Sequence, residues 1–190
     1  MMLLAEEETV DNRIIISGFG GQGVLSAGMV LSYGAMFSGK YPTFFPSYGA
    51  EQRGGTSNCT VVIDDEEVAS PVTQSPNIVV CMNQPSVNKF ESWVEKGGFL
   101  IYNKSLVNNP PKRDDIKVFS VDANRLALEL GDVRFANMVV LGALLGITDL
   151  YPFENLLKAI EKFFGQKGRY NLVLLNQNAA KVGYELFAKL

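Results

Sequence analysis

Apolar positions along this chain follow two rhythms. Runs rich in β-branched and aliphatic residues at 14–17, 59–63, 78–82, 99–102 and 118–121 read as strands. Between them apolar residues return every three or four positions. That spacing predicts a first helix over 22–38 with Val24, Gly28, Leu31 and Ala35 on one face. A second helix is expected over 85–95, stopped by Gly97 and Gly98, and a third over 123–130, capped by Asp122 and ended by Gly131. The last third changes character. Residues 135–145 are apolar nearly all round and so predict a buried helix. Phe153, Leu156, Leu157, Ile160, Phe163 and Phe164 form a one-sided stripe behind Pro152, which suits a first helical position. A final helix over 171–189 is expected to bury Leu175, Ala179, Val182 and Leu186. The alternation predicts an α/β fold, a single Rossmann-like domain over 1–190 with a largely parallel sheet flanked by helices and a helical C-terminal third.

Composition narrows the possibilities. The chain has 190 residues, 47% of them hydrophobic, enough for one two-sided core. Its 17 basic and 20 acidic residues give a net charge of -3, so no large positive field is available for nucleic acid or an anionic membrane. The start carries no basic segment ahead of its apolar residues, and the run 138–147 is too short to span a bilayer. A soluble, cytoplasmic chain is expected. Cys59 and Cys81 each sit inside an apolar run, which points to free buried thiols rather than a disulfide framework or an iron–sulfur site. The sequence has no histidine, which excludes Ser-His-Asp and Cys-His catalysis. Asp64, Asp65, Glu66 and Glu67 fall at an expected hairpin turn between 60–63 and 68–70, where solvated charge is the ordinary reading.

The first candidate for chemistry is RIIISGFGGQG at 13–23, a strand running into a glycine-dense turn that opens a helix. Gly18, Gly20 and Gly23 fit G-x-G-x-x-G. In that motif the first glycine takes the bend, the second admits a close ligand, and the third lets helix and strand pack. Amides and the helix dipole at such a turn favour an anion. A dinucleotide site would also need an acid about twenty residues on. That stretch reads KYPTFFP, and no acid occurs until Glu51, so a purely structural turn and a nucleotide site both stay open.

The second candidate is PTFFPSYGAEQRGGTSN at 42–58, which shows no periodicity and predicts a long functional loop. Arg53 beside Gly54 and Gly55 offers a fixed positive charge next to flexible amides, suited to phosphate or carboxylate. Gln22 and Asn58 are the expected neutral hydrogen-bonding partners. Phe44, Phe45 and Tyr48 could cover the chain's own core or meet a partner.

GFGGQGV at 18–24, PSYGAEQRGGTSNCTVVI at 46–63, the ASPV at 69–72 and RFANMVVLGALLG at 134–146 together resemble the gamma subunit of 2-oxoacid:ferredoxin oxidoreductases. The loop is most similar to the 2-oxoglutarate and branched-chain 2-oxoacid members, with 2-oxoglutarate favoured. The resemblance implies coenzyme A-dependent oxidative decarboxylation of a 2-oxoacid to acyl-CoA and carbon dioxide, with ferredoxin as electron acceptor. It implies alpha, beta and ferredoxin-like delta subunits as partners, holding thiamine diphosphate with magnesium and [4Fe-4S] clusters. This chain then holds no cofactor or metal alone and supplies no catalytic residue. Its binding residues are Gly18, Gly20, Gly21, Gln22, Gly23, Arg53, Gly54, Gly55, Thr56 and Asn58. The residues agree with that division. The GD at Gly131-Asp132 continues with Val133, unlike the GDG of a thiamine-diphosphate subunit, and cysteine clusters are lacking. An independent nucleotide-binding protein and a purely structural scaffold are the competing readings.

Overall fold

A computed structural model describes residues 12–48, 56–68, 70–166 and 168–188. Its strands are β1 (Asn12–Phe19), β2 (Tyr41–Tyr48), β3 (Thr56–Asp64), β4 (Ile78–Cys81), β5 (Phe99–Asn103) and β6 (Lys117–Val121). The helices are α1 (Val24–Phe37), α2 (Gln84–Phe90), α3 (Ala123–Glu129), α4 (Ala136–Thr148), α5 (Phe153–Gly165) and α6 (Tyr170–Glu185). The sheet order is β2-β3-β1-β4-β5-β6. β1, β4, β5 and β6 run parallel, while β3 is antiparallel to both β1 and β2.

The parallel half forms as its sequence predicts. β4 reads IVVC and is buried throughout, as a strand covered on both faces must be. Alternate side chains enter two cores. Ile14, Ile16, Val61, Ile63 and Ile78 meet α1, α4, α5 and α6 on one face. Ile15, Val79, Cys81 and Leu100 meet Val87 and Phe90 of α2, with Val94 and Ile116, on the other.

The expected loop at 42–58 is corrected: most of it is strand. β2 and the start of β3 pair from Tyr41↔Asp64 to Tyr48↔Ser57. Pro42 and Pro46 disguised β2, since proline cannot donate to a ladder. Both fall on an edge strand four residues apart, where the same outer side can take both missing N–H groups. Phe44 turns inward against α1 and Phe45 is 45% exposed, so the rings divide between core and surface. The expected hairpin at Asp64 to Glu67 does not form either. After β3 the described residues up to Ile78 hold no strand.

Three helix expectations change. The second helix is α-helical only to Phe90 and finishes as a 3-10 turn at Glu91–Trp93. Pro152 sits one position before α5 instead of inside it. Asp122 stands at the N-cap of α3, but its carboxylate accepts from Ser105 Oγ at 2.5 Å and Arg125 Nε at 3.0 Å and makes no capping bond.

The buried face of α6 is Val173, Asn176, Ala179, Ala180 and Gly183, whereas Leu175 and Leu186 are exposed. Backbone contact sets this rotation. A Cβ on Gly142 would overlap the Ala180 carbonyl oxygen, and one on Gly183 would overlap that of Val139. α4 and α6 therefore meet along small residues, and the leucines are turned away. α1 approaches the sheet in the same way: a Cβ on Gly28 would lie 2.5 Å from Cys59 Sγ and 2.8 Å from Phe44 Cε2.

Candidate functional site

β1 and β4 are neighbouring parallel strands whose following helices go to opposite faces, α1 into the core with Ile14 and α2 into the core with Ile15. Such a reversal opens a crevice beyond the carboxyl ends of the two strands, the place where open α/β sheets bind ligands. The glycine turn lies in it. Gln22 N donates to Phe19 O at 3.1 Å, closing the turn, and Gly21 (φ 102°) and Gly23 (φ 72°) take the left-handed conformations that favour glycine. Gly23 is the N-cap of α1. The division of labour differs from the motif's. Gly18 is not the bend; it is needed for contact, since its Cβ would come within 2.6 Å of Gln22 Oε1 and 2.9 Å of Met82 Cβ. Neither Gly18 nor Gly20 has positive φ.

A chain of neutral hydrogen bonds floors the crevice. Gln22 Oε1 accepts from Phe19 N at 2.6 Å and from Asn83 Nδ2 at 3.0 Å, while Gln22 Nε2 lies 3.4 Å from Met82 O. Asn83 Oδ1 accepts from Ser86 N at 3.0 Å and Ser86 Oγ at 2.8 Å, which caps α2. Ser86 Oγ in turn meets Ser17 Oγ of β1 at 2.9 Å. Across the turn, Asn137 Nδ2 donates to Gly23 O at 3.1 Å. Gln22, expected to face an anion, thus has its amide engaged within the protein. Asn83, Ser86, Ser17 and Asn137 were not expected. For two of them a local signal existed: Asn-Gln-Pro-Ser at 83–86 is an N-cap asparagine with proline in the first turn.

The remaining expected residues divide by position. Thr56 lies opposite Phe19 and Asn58 opposite Ser17 in the ladder, so β3 enters the sheet where β1 leaves it. Asn58 is half-buried, and its side chain makes no hydrogen bond to a described residue. Arg53, Gly54 and Gly55 lie outside the described residues. The flanking Tyr48 and Thr56 stand at the glycine-turn end of the sheet, so the segment between them starts and ends there. From the first turn of α1, a groove of about 450 Å³ runs between Leu25, Met29, Phe44, Pro46 and Phe163, with Ser26, Tyr33 and Gln166 as its polar groups.

Neither cysteine is placed for chemistry. Both are fully buried, on opposite faces of the sheet, and burial pushes the Cys59 thiol up to about 12 and that of Cys81 higher still. Among the described residues no helix is long and apolar enough to cross a membrane, and no group of three or more His, Cys, Asp or Glu gathers as a metal site.

The geometry also weighs on the dinucleotide reading. In a dinucleotide fold the neighbour of the first strand is parallel and presents an acid at its carboxyl end. Here that neighbour is the antiparallel β3, which presents Thr56 at that end.

These features define an α/β domain with a crevice at its strand reversal, bordered by the glycine turn and by the neutral side chains Gln22, Asn83 and Asn137. Residues 13–186 match the family described as pyruvate ferredoxin/flavodoxin oxidoreductase, and the chain belongs to that family. Relatives include the ketoisovalerate oxidoreductase subunit VorA of Methanothermobacter marburgensis, 40% identical over 88% of this chain and 36% of the relative. Another is the 2-oxoglutarate synthase subunit KorC of Methanocaldococcus jannaschii, 35% identical over 78% of this chain and 81% of the relative. The chain thus spans about a third of the VorA relatives it matches, 36% and 37% of their lengths. Among solved structures, the keto/oxoacid ferredoxin oxidoreductase gamma subunit of Geobacter sulfurreducens superposes with a TM-score of 0.78 at 26% identity, covering 94% of this chain and 99% of that one. The 2-oxoglutarate:ferredoxin oxidoreductase of Magnetococcus marinus shares the fold with a TM-score of 0.81 at 22% identity, covering 96% of this chain and 32% of that one. The chain is a gamma-type domain of this family.

Proposed function

We propose that this chain works as the gamma component of a multi-subunit 2-oxoacid:ferredoxin oxidoreductase, placing its glycine turn and the 49–55 segment at a site completed by other subunits. The observation that carries the reading is the shared position of the glycine turn and the ends of β2 and β3. The turn occupies the crevice at the strand reversal, and the strand ends flanking Arg53 stand beside it. The crevice offers amides and neutral side chains, which bind and orient but do not transfer protons. Thiamine diphosphate with magnesium and [4Fe-4S] clusters, held by alpha, beta and ferredoxin-like delta partners, would supply the carbon and electron chemistry. Coenzyme A is the co-substrate and ferredoxin the acceptor.

The 2-oxoglutarate preference is not singled out by the relatives. Ketoisovalerate oxidoreductase, 2-oxoglutarate synthase and pyruvate synthase subunits match at 40%, 35% and 33% identity. Gamma-type domains of this family therefore accompany several oxoacids. Arg53→Ala in the assembled complex tests the reading. A raised KM for coenzyme A or for the oxoacid, with assembly intact, is expected. Unchanged kinetics for both would remove Arg53 from the site.

A further inference from the structure

Two walls enclose the crevice, the glycine turn after β1 and the turn from β4 into α2, and the Gln22 side chain joins them: its Oε1 accepts from Asn83 Nδ2 at 3.0 Å, between residues 61 apart in sequence, and its Nε2 reaches Met82 O at the longer distance of 3.4 Å. We propose that Asn83 is the positioning residue of this crevice, holding Gln22 and through it the glycine turn and the first amides of α1 at the spacing a bound anion requires. This rests on the reading that the turn faces a ligand.

The chemistry of Asn83 fits the role closely. It is 2% exposed, so its polar atoms are satisfied by protein. Its oxygen is used in capping α2, through Ser86 N and Oγ, and its nitrogen is used on Gln22. Aspartate caps a helix as well but has no proton to donate, and serine ends one bond sooner. Capping alone would not call for asparagine; the link to Gln22 does. Gln22 has no alternative arrangement. Its oxygen already accepts from Phe19 N, so rotating the amide to aim its NH2 at residue 83 would set donor against donor at Phe19. Ser86, which reaches Ser17 on β1, braces the same connection from below.

Asn83→Asp separates positioning from capping, because it keeps the cap and the volume and replaces the donor to Gln22 by a carboxylate oxygen, which as an acceptor cannot bond Gln22 Oε1. In the full chain, amide hydrogen exchange over residues 19–23 is expected to rise roughly tenfold while that of α2 stays unchanged. In the assembled complex, KM for coenzyme A or the oxoacid is expected to rise several-fold with kcat much less affected. Asn83→Ala removes the cap too, so exchange of α2 should rise with it. Wild-type exchange over 19–23 in Asn83→Asp would overturn the proposal. Faster exchange with both KM values unchanged would leave the link between Asn83 and the turn standing and overturn the reading that the turn faces a ligand.

Discussion

Gly23→Ala probes the glycine turn most sharply, because two costs fall on one methyl group. Gly23 sits at φ 72°, where an L-residue pays roughly 1–2 kcal/mol. The new Cβ would also land on the side-chain amide of Asn137, which is 7% exposed and donates to Gly23 O at 3.1 Å. Displacing it leaves the nearly buried Asn137 amide without that acceptor, at roughly 1–3 kcal/mol, while Gly23 O keeps its bond from Ala27 N at 2.9 Å. The sum is about 2–5 kcal/mol, or on the order of 10 °C in melting temperature for a domain of this size. Gly21→Ala is the control. Its φ is 102°, yet a Cβ there meets nothing within 4 Å among the described residues, so only the backbone cost applies. Urea unfolding of both variants at one temperature measures the difference. The pair Gly23→Ala with Asn137→Ala should be less destabilising than the sum of the two single changes, since they remove the same contact. Equal losses for Gly21→Ala and Gly23→Ala, or strict additivity with Asn137→Ala, would refute the reasoning.

Three further outcomes are expected. Gly183→Ala and Gly142→Ala each drive a methyl into a backbone carbonyl of the facing helix, so each should cost about 3 kcal/mol or more in chemical unfolding, beyond ordinary overpacking. Cys59 and Cys81 should resist alkylation in the native chain at pH 8, since burial keeps both as thiols; both should react after unfolding, which mass spectrometry would count. The Ser105 hydroxyl, followed by Arg125 and Lys104, holds the Asp122 carboxyl below its ordinary range. Its contribution is therefore present above the unfolded value of about 3.9 and is lost as pH falls through the lower folded value. Asp122→Asn should be less stable than the parent at pH 7, and the difference should close below about pH 3.9 in urea titrations across pH.

How much of this was legible in the sequence follows from what each residue answers to. The parallel strands β1, β4 and β5 and most of α4 are buried, so nearly uninterrupted apolar runs declare them, while β6 lies at the exposed edge. β2 answers to its place at the sheet edge, which admits Pro42 and Pro46 and erases the strand signal. The face of α6 answers to the backbone of α4. Glycine and alanine permit that contact, and Leu174 and Leu175 are left at 69% and 38% exposure. A reading by hydrophobicity therefore found Ala179 but placed Leu175 and Leu186 on the buried face in error. At the site, the glycine spacing announced the turn between β1 and α1 because strand, turn and helix are contiguous there. The bond from Gln22 to Asn83 joins segments that only the strand order brings together, so no local pattern announced it.

Native purification of the complex through this chain, followed by an assay for 2-oxoacid-dependent reduction of ferredoxin or a low-potential dye with and without coenzyme A, tests the central claim most directly. The account predicts a brown preparation containing a thiamine-diphosphate subunit and a cysteine-rich subunit, active only when a 2-oxoacid and coenzyme A are both supplied. A colourless chain recovered alone, under conditions that keep other complexes intact, and inactive with every 2-oxoacid would contradict it.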